Sequence, residues 1–442
     1  MARDDIFHPD FTPTPYWWEA YAPAAGNLVA VPKAARVAIV GGGYAGLSAA
    51  LELAKLGIDA VVLEKGALGV GASTRNGGSV SGGVNIGKSF GGRTAQVGPE
   101  ETEHLLSDAS DAFSLVERLI AEEGLDCFWM KHGRFVGAWT PKHFDYQAGR
   151  LASLNEAAQS GAYMVPRQRQ REEIASDYYY GGMVVERSAS LHPALYYKGL
   201  LDACRRRGVA VCAAAAVERI APINSNGGAG WRVETGRGTV AAGEVVIATN
   251  GYTGELTPQL RRRVVPIASH IIATEELPED FARSLIPKWR SLSDTKRVLC
   301  YYRLSPDGRR MVFGGRARFT HVDPKLSARV LYGYMTERFP QLKGVRITHG
   351  WDGNTAFTFD ALPHMGQQDG MHFCLGCNGS GIAMMTYLGW QTARKIAGAA
   401  NAPCAFDRPE FPDHTLYSGN PWFLPVVGGY FRLRDRLDRL LA

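Results

Sequence analysis

Apolar and polar positions near the N-terminus predict a strand, a helix and a second strand in succession. Residues 36–41 read Arg-Val-Ala-Ile-Val-Gly, a short run with β-branched side chains that is typical of a buried strand. Residues 45–56 place small and aliphatic side chains on one helical face, and residues 60–64 form a second apolar run that ends at Glu64. Together these segments predict a Rossmann-type β-α-β unit of about 30 residues.

The later pattern predicts further elements and an antiparallel sheet. Helices are predicted at 100–123, 142–160, 189–207, 324–338 and 382–397, and strands at 209–212, 244–249, 264–274, 297–304, 310–316 and 371–375. The strands between 264 and 316 suggest the antiparallel sheet. Residues 66–98 are rich in Gly and Ser and have little periodicity, and a loop of that length inside a compact domain is normally functional.

Composition indicates a soluble globular protein of two or three domains. The chain has 442 residues, of which 45% are hydrophobic and 21% charged, and both fractions are ordinary for such proteins. The net charge of +6 is mild and the basic runs are short, so we expect no nucleic-acid partner. Seven cysteines do not indicate a disulfide framework. We expect no metal site, and we expect the Cys-x-x-Cys at 374–377 to serve packing.

The two chain ends bear on localisation. The first 15 residues carry acidic residues and prolines without an apolar core, which is not a secretory signal, and no apolar stretch is long enough for a membrane span. We therefore expect a cytoplasmic protein without membrane association. Residues 430–442 alternate Arg and Leu at helical spacing, which predicts an amphipathic helix docked on the protein rather than on a membrane surface.

Residues 41–46 read Gly-Gly-Gly-Tyr-Ala-Gly and lie between the first strand and the first helix. Gly41 permits the tight turn, Gly43 lets the backbone approach a pyrophosphate, and Gly46 lets the helix pack closely on the strand. The helix N-terminus offers free N–H groups to phosphates, and the Glu64 carboxylate can accept hydrogen bonds from ribose hydroxyls. The predicted binding residues of this unit are Gly41, Gly43, Tyr44, Ala45, Gly46 and Glu64. The unit predicts a site for a dinucleotide, either NAD or FAD.

Three further segments favour FAD. Lys65 leads into residues 71–78, Gly-Ala-Ser-Thr-Arg-Asn-Gly-Gly, which can lay backbone amides and a small serine along the cofactor and its flat ring. Residues 245–251 can close over the nucleotide half. Residues 376–381, Gly-Cys-Asn-Gly-Ser-Gly, precede a helix whose N-terminus can stabilise negative charge on a reduced flavin.

Motifs spread over nearly the whole chain resemble one known family. They are Tyr16-Trp-Trp, the glycines at 41–46, residues 71–78, Ala248-Thr-Asn-Gly, Trp351-x-Gly, Phe357-Thr-x-Asp-x-Leu-Pro-His-x-Gly and the last glycine loop. The chain resembles the D-amino-acid-oxidase-type family of FAD-dependent oxidoreductases and, within it, the γ-glutamylputrescine oxidoreductase branch.

The resemblance implies an α/β (α+β two-domain) fold that is discontinuous in sequence. A Rossmann-type FAD-binding domain would comprise residues 1–100, 186–262 and 346–442, and an antiparallel-sheet substrate domain would comprise 101–185 and 263–345. FAD would be bound non-covalently, because relatives that attach it use a cysteine near Gly353. Together, the loop segments and the resemblance give these further cofactor-binding residues: Lys65, Ala72, Ser73, Arg75, Asn76, Gly77, Gly78, Ser79, Val80, Val217, Ala248, Thr249, Gly251, Gly379, Ser380, Gly381 and Ile382.

The same resemblance shapes the expected chemistry. Relatives that bind a substrate carboxylate carry a basic residue where this chain has Thr355 or Ala383, so an amine is favoured over an α-amino acid. Val312 stands where sarcosine-oxidase-like relatives carry a lysine that promotes reaction with oxygen, so the electron acceptor is either O2 or another molecule. The substrate-pocket candidates are His270, Tyr301, Tyr302, Trp351 and Thr355, and no catalytic base is assigned. His364 is expected to make a structural hydrogen bond.

We therefore expect oxidation of the C–N bond of a small primary or secondary amine to an imine, by hydride transfer to flavin N5. One alternative is an α-amino-acid oxidase or dehydrogenase in which Arg303 or Arg316 binds the carboxylate. The others are a non-catalytic flavin-binding module and an NAD dehydrogenase.

Overall fold

Two β-sheets organise the backbone in the computed structural model, which describes residues 6–24, 28–81, 97–225, 228–399 and 403–442. The strands are β1 (Phe7–Thr12), β2 (Ala34–Val40), β3 (Ala60–Leu63), β4 (Ser79–Ser81), β5 (Arg134–Gly137), β6 (Ala162–Val165), β7 (Gly182–Val185), β8 (Ser188–Ser190), β9 (Ala210–Cys212), β10 (Val217–Ser225), β11 (Gly228–Thr235), β12 (Gly238–Ile247), β13 (Val264–Thr274), β14 (Ser291–Asp294), β15 (Cys300–Leu304), β16 (Met311–Gly315), β17 (Ile347–Thr358), β18 (His364–Gln368) and β19 (Met371–Leu375). The α-helices are α1 (Tyr44–Lys55), α2 (Pro99–Glu123), α3 (Pro141–Ala148), α4 (Leu151–Ala158), α5 (Pro193–Arg206), α6 (Pro258–Arg261), α7 (Glu279–Leu285), α8 (Pro324–Arg338), α9 (Gly381–Ile396) and α10 (Leu424–Leu440).

The first sheet is the predicted Rossmann-type sheet. Its parallel part has the order β19-β12-β2-β3-β9, and β10 and β11 extend β12 as an antiparallel ribbon. The last four residues of β2, Val37 to Val40, are all buried, as is every residue of β3. Parallel strands are covered on both faces, which is why these segments read as unbroken apolar runs in the sequence.

The second sheet is larger and mostly antiparallel, with the order β1-β17-β13-β16-β15-β14-β5-β7-β6. Only the β1–β17 and β14–β5 pairs are parallel within the described residues. Side chains alternate between its two faces, as in any strand. One face carries a core that includes Tyr302, Phe313 and Phe339 and packs against α8. The opposite face is turned toward the first sheet and lines the cavity described below.

The two-domain fold class is confirmed, but sheet membership does not follow the predicted division. Strand β17 pairs with β13 along its whole length, although residues 346–442 were predicted to lie in the FAD-binding domain. Strand β1 pairs with β17 and is part of the same sheet. The alternation of β17 is masked in the sequence by its small and polar residues, which is why sequence analysis did not assign it to a strand.

Most predicted elements are confirmed, and the differences have local causes. Strand 264–274 and helix 324–338 have the predicted bounds. The helix predicted at 142–160 is two helices, α3 and α4, because the chain breaks at Gly149 and Arg150. The helix predicted from residue 189 begins at Pro193, since Ser188–Ser190 pairs with β4. Of the predicted loop 66–98, residues 72–74 form a 3-10 turn and 79–81 a strand, and residues 82–96 lie outside the described part of the chain.

Helices α1 and α9 meet at a backbone contact beside the first sheet. A Cβ atom at Gly389 of α9 would overlap the carbonyl oxygen of Ala45 in α1. A Cβ atom at Gly46 would likewise overlap the carbonyl of Gly41. Glycine at these two positions therefore permits the close approach of α1 to the strand before it and to α9.

We predict that Gly389→Ala destabilises the protein by about 1–3 kcal/mol, because the added methyl group has no space between the two helices. The free energy of unfolding in urea measures this effect. Gly333→Ala in α8 is the matched control, because its Cβ would meet nothing within 4 Å. That variant should be unchanged or up to about 1 kcal/mol more stable. Equal stability of the two variants would contradict the close α1–α9 contact.

Candidate active site

A cavity of about 930 Å³ lies between the inner face of the large sheet and two glycine-rich loops. Its described lining includes residues 72, 75–79 and 81 of the first loop, residues 378–383 of the second, and Arg134, Val136, Met183, Ile267, Ser269, Ser291, Ser293, Tyr301, Arg303, Val312, Arg316, Thr355 and Phe357 from the sheet and its edges. The strand residues in this set alternate along β5, β13, β14 and β15, so one face of the sheet forms the cavity roof.

Three tryptophans hold the first loop in place through their indole N–H groups. Trp17 Nε1 donates to the carbonyl of Asn76 at 2.8 Å, and Trp351 Nε1 donates to the carbonyl of Arg75 at 2.8 Å. Trp18 Nε1 donates to Thr74 Oγ1 at 2.9 Å. Trp17 and Trp351 are fully buried, so these hydrogen bonds are shielded from water. The N-terminal tryptophans are thus part of the site and do more than anchor the chain end.

Asn76 fixes the turn of the same loop from within. Its amide Nδ2 donates to the carbonyls of Ala72 and Ser73 at 3.2 and 3.0 Å, and its Oδ1 accepts from the Gly78 N–H at 2.9 Å. Beyond the turn, the hydroxyl of Ser79 is buried and has no hydrogen-bond partner among the described residues. An unpaired buried hydroxyl at a cavity wall is a group that a bound ligand can satisfy.

The glycine turn before α1 has the geometry of a phosphate site. Gly43 supplies no side-chain cap to α1, and the Tyr44 N–H donates to Ser73 Oγ at 3.1 Å. A Cβ at Gly43 would come within 3.1 Å of the same oxygen. Gly41 has φ of +109°, and a Cβ there would meet the Ala248 carbonyl at 2.8 Å. Uncapped N–H groups and bare backbone at a helix start are the features that bind anions.

The Glu64 carboxylate stands at the end of β3, beside the glycine turn. Its Oε2 accepts from the Gly42 N–H at 2.8 Å, and its Oε1 accepts from the Gly66 N–H at 3.0 Å. Lys65 beside it is exposed. Val217 begins β10 close by, because Ala215 donates its N–H to the Glu64 carbonyl at 2.8 Å. The predicted residues for the nucleotide half are therefore brought together.

The remaining predicted segments meet between the two sheets. Asn250 accepts a hydrogen bond from the Gly376 N–H at 3.0 Å, which joins residues 248–251 to the second glycine loop. Gly251 packs against Asn354 of β17. Helix α9 begins at Gly381 with no side-chain cap from Ser380, and Gly379 has φ of +91° with open space where a Cβ would lie. A second uncapped helix start thus opens on the cavity.

Among the substrate-pocket candidates, the sheet separates Tyr301 from Tyr302. Tyr301 lies on the roof, where its ring packs between Gly77 and Gly314 and its hydroxyl bonds Ser269 Oγ at 2.9 Å. Burial raises the pKa of Tyr301 to about 12. Tyr302 points to the opposite face, where it stacks on Phe313 and bonds the hydroxyl of Tyr179. Tyr302 is thus among the cavity-lining residues while its ring packs in the core, and its neighbour Tyr301 turns its ring toward the glycine loop.

Strand alternation and packing also decide the positions of the other candidates. Thr355 lines the cavity, as does Val312. His270 does not: it is 1% exposed and lies on the far face from Ser269, with Nε2 at 3.8 Å from the Asp352 carboxylate. Burial lowers the pKa of His270 to about 4. Trp351 is separated from the cavity by the loop that it holds.

Buried cations also lie at the roof. Arg303 donates to the carbonyls of Gly77 and Leu191 at 2.9 and 2.6 Å, and its guanidinium lies over the Trp17 ring. Burial lowers the pKa of Arg303 to about 10, so it remains a cation at neutral pH. Arg316 lies over the Phe357 ring, and burial lowers its pKa to about 10 as well. The α-amino-acid hypothesis named these two arginines, and both line the cavity.

The residues of β5, β14 and α10 that line the cavity are not among those predicted from the sequence. They include Arg134 and Ser293 of the large sheet and Arg434 and Asp438 of α10. Helix α10 docks through Asp435, which accepts from the Val298 N–H at 3.0 Å, so the tail is the docked helix that its periodicity predicted. No sequence motif marks these residues, because their convergence depends on strand order.

Two further motif residues have structural roles. His364 bonds the Asp360 carboxylate and the Arg408 carbonyl and stacks on Phe411. The hydrogen bond from His364 helps to hold the pKa of Asp360 below its usual value, against the effect of burial. Cys374 and Cys377 are buried free thiols. Within the described ranges, His, Cys, Asp and Glu side chains nowhere gather in a group that could hold a metal ion.

Comparison with known proteins identifies the family. Residues 36–395 match the family model of the FAD dependent oxidoreductases, the DAO family, and the chain belongs to this family. It is 33% identical to gamma-glutamylputrescine oxidoreductase of Escherichia coli over 91% of this chain and 93% of the relative. It is 30% identical to a probable oxidoreductase, OrdL, of Rhizobium meliloti over 95% of this chain and 97% of the relative. The protein is an FAD-dependent oxidoreductase.

Solved structures share the fold at low sequence identity. L-proline dehydrogenase of P. horikoshii has a TM-score of 0.71 and 18% identity, covering 85% of this chain and 97% of that one. Glycine oxidase of Geobacillus kaustophilus has a TM-score of 0.71 and 20% identity, covering 87% and 99%. In the described part of this chain, no helix has both the length and the apolar composition needed to cross a membrane.

The environment of His192 leads to a prediction about pH. His192 Nδ1 caps α5 by accepting the Leu195 N–H at 3.3 Å, and the ring packs on Trp17. Burial, and to a lesser degree the charge of Arg303, lowers the pKa of His192 to about 4. The unfolded chain therefore binds more protons than the native protein between about pH 4 and pH 6.5, and this histidine's contribution to stability is complete only above pH 6.5.

We expect His192→Asn, which can keep the helix cap, to remove this pH dependence. Between pH 7 and pH 5 the wild-type protein should lose about 2 kcal/mol more unfolding free energy than the variant. Denaturant unfolding at several pH values measures the difference. His104→Gln changes an exposed histidine and should follow the wild type. Parallel pH profiles for wild type and His192→Asn would show that His192 is not held neutral.

Proposed function

We propose that this protein oxidises the C–N bond of a small primary or secondary amine to an imine, which water then hydrolyses. The observation that carries the proposal is the 33% identity, over nine-tenths of both chains, to an enzyme named for an amine substrate. The cavity beside the two glycine loops supports it, because apolar and aromatic side chains (Ile267, Tyr301, Val312 and Phe357) form much of its roof.

The residues present fit FAD. The N-terminus of α1, Glu64, Val217 and the 248–251 segment would hold the ADP half. Residues 76–80 and 379–382 would lie along the ring, and α9 would direct its positive end at it. When bound, FAD supplies the acceptor for a hydride at N5 of its ring.

The chain's own residues would position and desolvate the amine. The Trp17 and Trp351 indoles fix the loop that borders the ring, and Tyr301 closes the roof above that loop. Among the described residues, one histidine (His143) and two aspartates (Asp294 and Asp438) line the cavity, and both aspartates are paired with arginines, so we assign none of them as a base. A neutral amine whose C–H bond is held against the ring in a water-poor site needs no such base.

An α-amino-acid oxidase or dehydrogenase is the rival proposal. It is favoured by Arg316, which lines the cavity near Thr355 and Phe357. Arg303 can offer a carboxylate only Nη1, which is buried and has no hydrogen-bond partner among the described residues, because Nε and Nη2 are already bonded to carbonyl groups.

Anaerobic mixing of the flavin-loaded protein with matched amines and α-amino acids tests the proposal. We expect amines to bleach the flavin absorbance near its long-wavelength maximum, with rate constants at least tenfold above those of amino acids of equal length. Faster bleaching by amino acids would favour the rival, and no bleaching by either class would overturn both. Admission of air then separates an oxidase from a dehydrogenase by the rate of reoxidation. Acid precipitation should release FAD, because no cysteine is among the described lining residues.

The role of Glu64 can be tested separately. Glu64→Gln keeps the shape of the side chain but removes the charge that accepts hydrogen bonds beside the glycine turn. We predict that FAD binds about tenfold more weakly, consistent with the loss of one charge-assisted hydrogen bond. Fluorescence quenching of FAD titrated with apoprotein gives the affinity. Glu279→Gln on exposed α7 makes the same chemical change and should bind FAD as the wild type does.

A further inference from the structure

The charged side chains on the cavity wall are mostly positive. Nine arginine or lysine residues and two aspartates are among the described lining residues. Both aspartates are already engaged. The Asp294 carboxylate bonds the buried Arg338 guanidinium at 2.6 Å, and Asp438 bonds Arg297 at 2.5 Å. Neither aspartate side chain on the described wall is therefore free to bind a second ammonium group on a substrate.

Arg134 is the most unusual of these cations. It is 7% exposed, yet among the described residues its guanidinium has one hydrogen-bond partner, the hydroxyl of Ser293, which accepts from Nε and Nη2 at 3.1 and 2.7 Å. Burial lowers the pKa of Arg134 to about 10, which still leaves it charged at neutral pH. The charge of Asp294 acts on Arg134, but the Asp294 carboxylate is hydrogen-bonded to Arg338 instead. A buried cation without a hydrogen-bonded anion is unfavourable unless a ligand supplies one.

An unsatisfied hydroxyl group lies on the strand beside Arg134. Ser291 is the register partner of Arg134 across β14 and β5, and it is 5% exposed. Its hydroxyl lines the cavity and has no hydrogen-bond partner within the described chain. A guanidinium edge and a hydroxyl on adjacent strands form a donor set that suits a carboxylate.

We propose that Arg134 and Ser291 bind a carboxylate on the far end of the amine substrate, remote from the C–N bond that is oxidised. The substrate is thus an amine with an anionic tail, and neither a free diamine nor a plain alkylamine. This inference rests on the proposed amine oxidation and specifies its substrate class.

The strand order gives the distance between Arg134 and the first glycine loop. The first glycine loop contacts Tyr301 and Arg303 of β15, and Arg134 lies on β5, two strands further along the sheet. Neighbouring strands are about 4.8 Å apart, so the backbone of Arg134 is about 10 Å from that of β15. Ser293, which holds the guanidinium, is the register partner of Tyr301. The guanidinium therefore lies at β14, one strand beyond the β15 residues that contact the glycine loop, and we expect a carboxylate bound there to be farther from the reacting carbon than the carboxylate of an α-amino acid.

The test uses three series of matched compounds on the flavin-loaded enzyme. These are ω-aminocarboxylates from 4-aminobutanoate to 8-aminooctanoate, the alkylamines that lack the carboxylate, and the diamines that replace it with an ammonium group. At the best chain length we expect kcat/KM for the aminocarboxylate to exceed that for the alkylamine by tenfold to a hundredfold, with the diamine lowest. Alkylamines or diamines that equal the aminocarboxylates at every length would overturn the proposal and leave amine oxidation intact.

Arg134→Gln tests the assigned residue. We expect the kcat/KM ratio of aminocarboxylate to alkylamine to fall to near one. Lys131→Gln removes a cation that is exposed and paired with Glu117, and it should keep the wild-type ratio. An unchanged ratio in Arg134→Gln would show that another group binds the tail. If Arg134→Gln does not fold, Arg134→Lys should reduce the ratio, because a lysine loses the guanidinium fork.

Binding without turnover separates this proposal from the proposed function. Calorimetry should detect hexanoate binding to the wild-type protein, binding at least tenfold weaker in the Arg134 variants, and no comparable binding of hexylamine. If no amine reduces the flavin but hexanoate binds through Arg134, the proposed function fails and the carboxylate subsite stands. If hexanoate does not bind and the aminocarboxylates have no advantage, the subsite fails.

Discussion

The candidate site depends on the hydrogen bonds that fix the backbone of the first glycine-rich loop. Residues 75–78 follow a single 3-10 turn at 72–74 and belong to no helix or strand, so the Asn76 side chain and side chains from elsewhere have to set their geometry. Three indole N–H groups contribute to it, two from the N-terminal segment and one from β17. Each indole has a single donor and a large apolar body, so it can hold a carbonyl while also excluding water. The loop is thereby fixed from a direction opposite to the cavity, and its cavity side stays open to a ligand.

This arrangement explains why the two sheets behave as one site. Trp351 belongs to the large sheet, whereas the loop that it holds continues from β3 of the Rossmann-type sheet. Residues 248–251 add a second link, since Asn250 bonds Gly376 and Gly251 packs on Asn354. The cavity is therefore bounded on both sides by elements that are directly hydrogen-bonded to each other. These bonds fix the position of a substrate bound at the roof relative to the two glycine loops.

Much of the cofactor side could be predicted from the sequence, because its signals are local. The glycine turn, Glu64 and the two later glycine loops each lie within a few residues of a predicted strand or helix, and their chemistry follows from spacing. The roof could not be predicted in the same way. Whether Tyr301 or Tyr302 faces the cavity depends on which face of an antiparallel strand is covered, and a one-residue shift reverses the answer. Arg134 has no motif at all, and its place on the cavity wall depends on the pairing of β5 with β14.

The interleaving of the two sheets along the chain has a consequence for biosynthesis. Strand β1 pairs with β17, and β12 pairs with β19, so both sheets contain pairs whose members lie far apart in the sequence. Such non-local pairings form slowly, because the chain loses the entropy of loop closure before the strand contacts stabilise it. On the ribosome, the glycine turn emerges early but lacks α9 and β19 until nearly the whole chain has been made. The apoprotein must therefore remain protected from aggregation through most of its synthesis, and a supply of flavin cannot help until the end of translation.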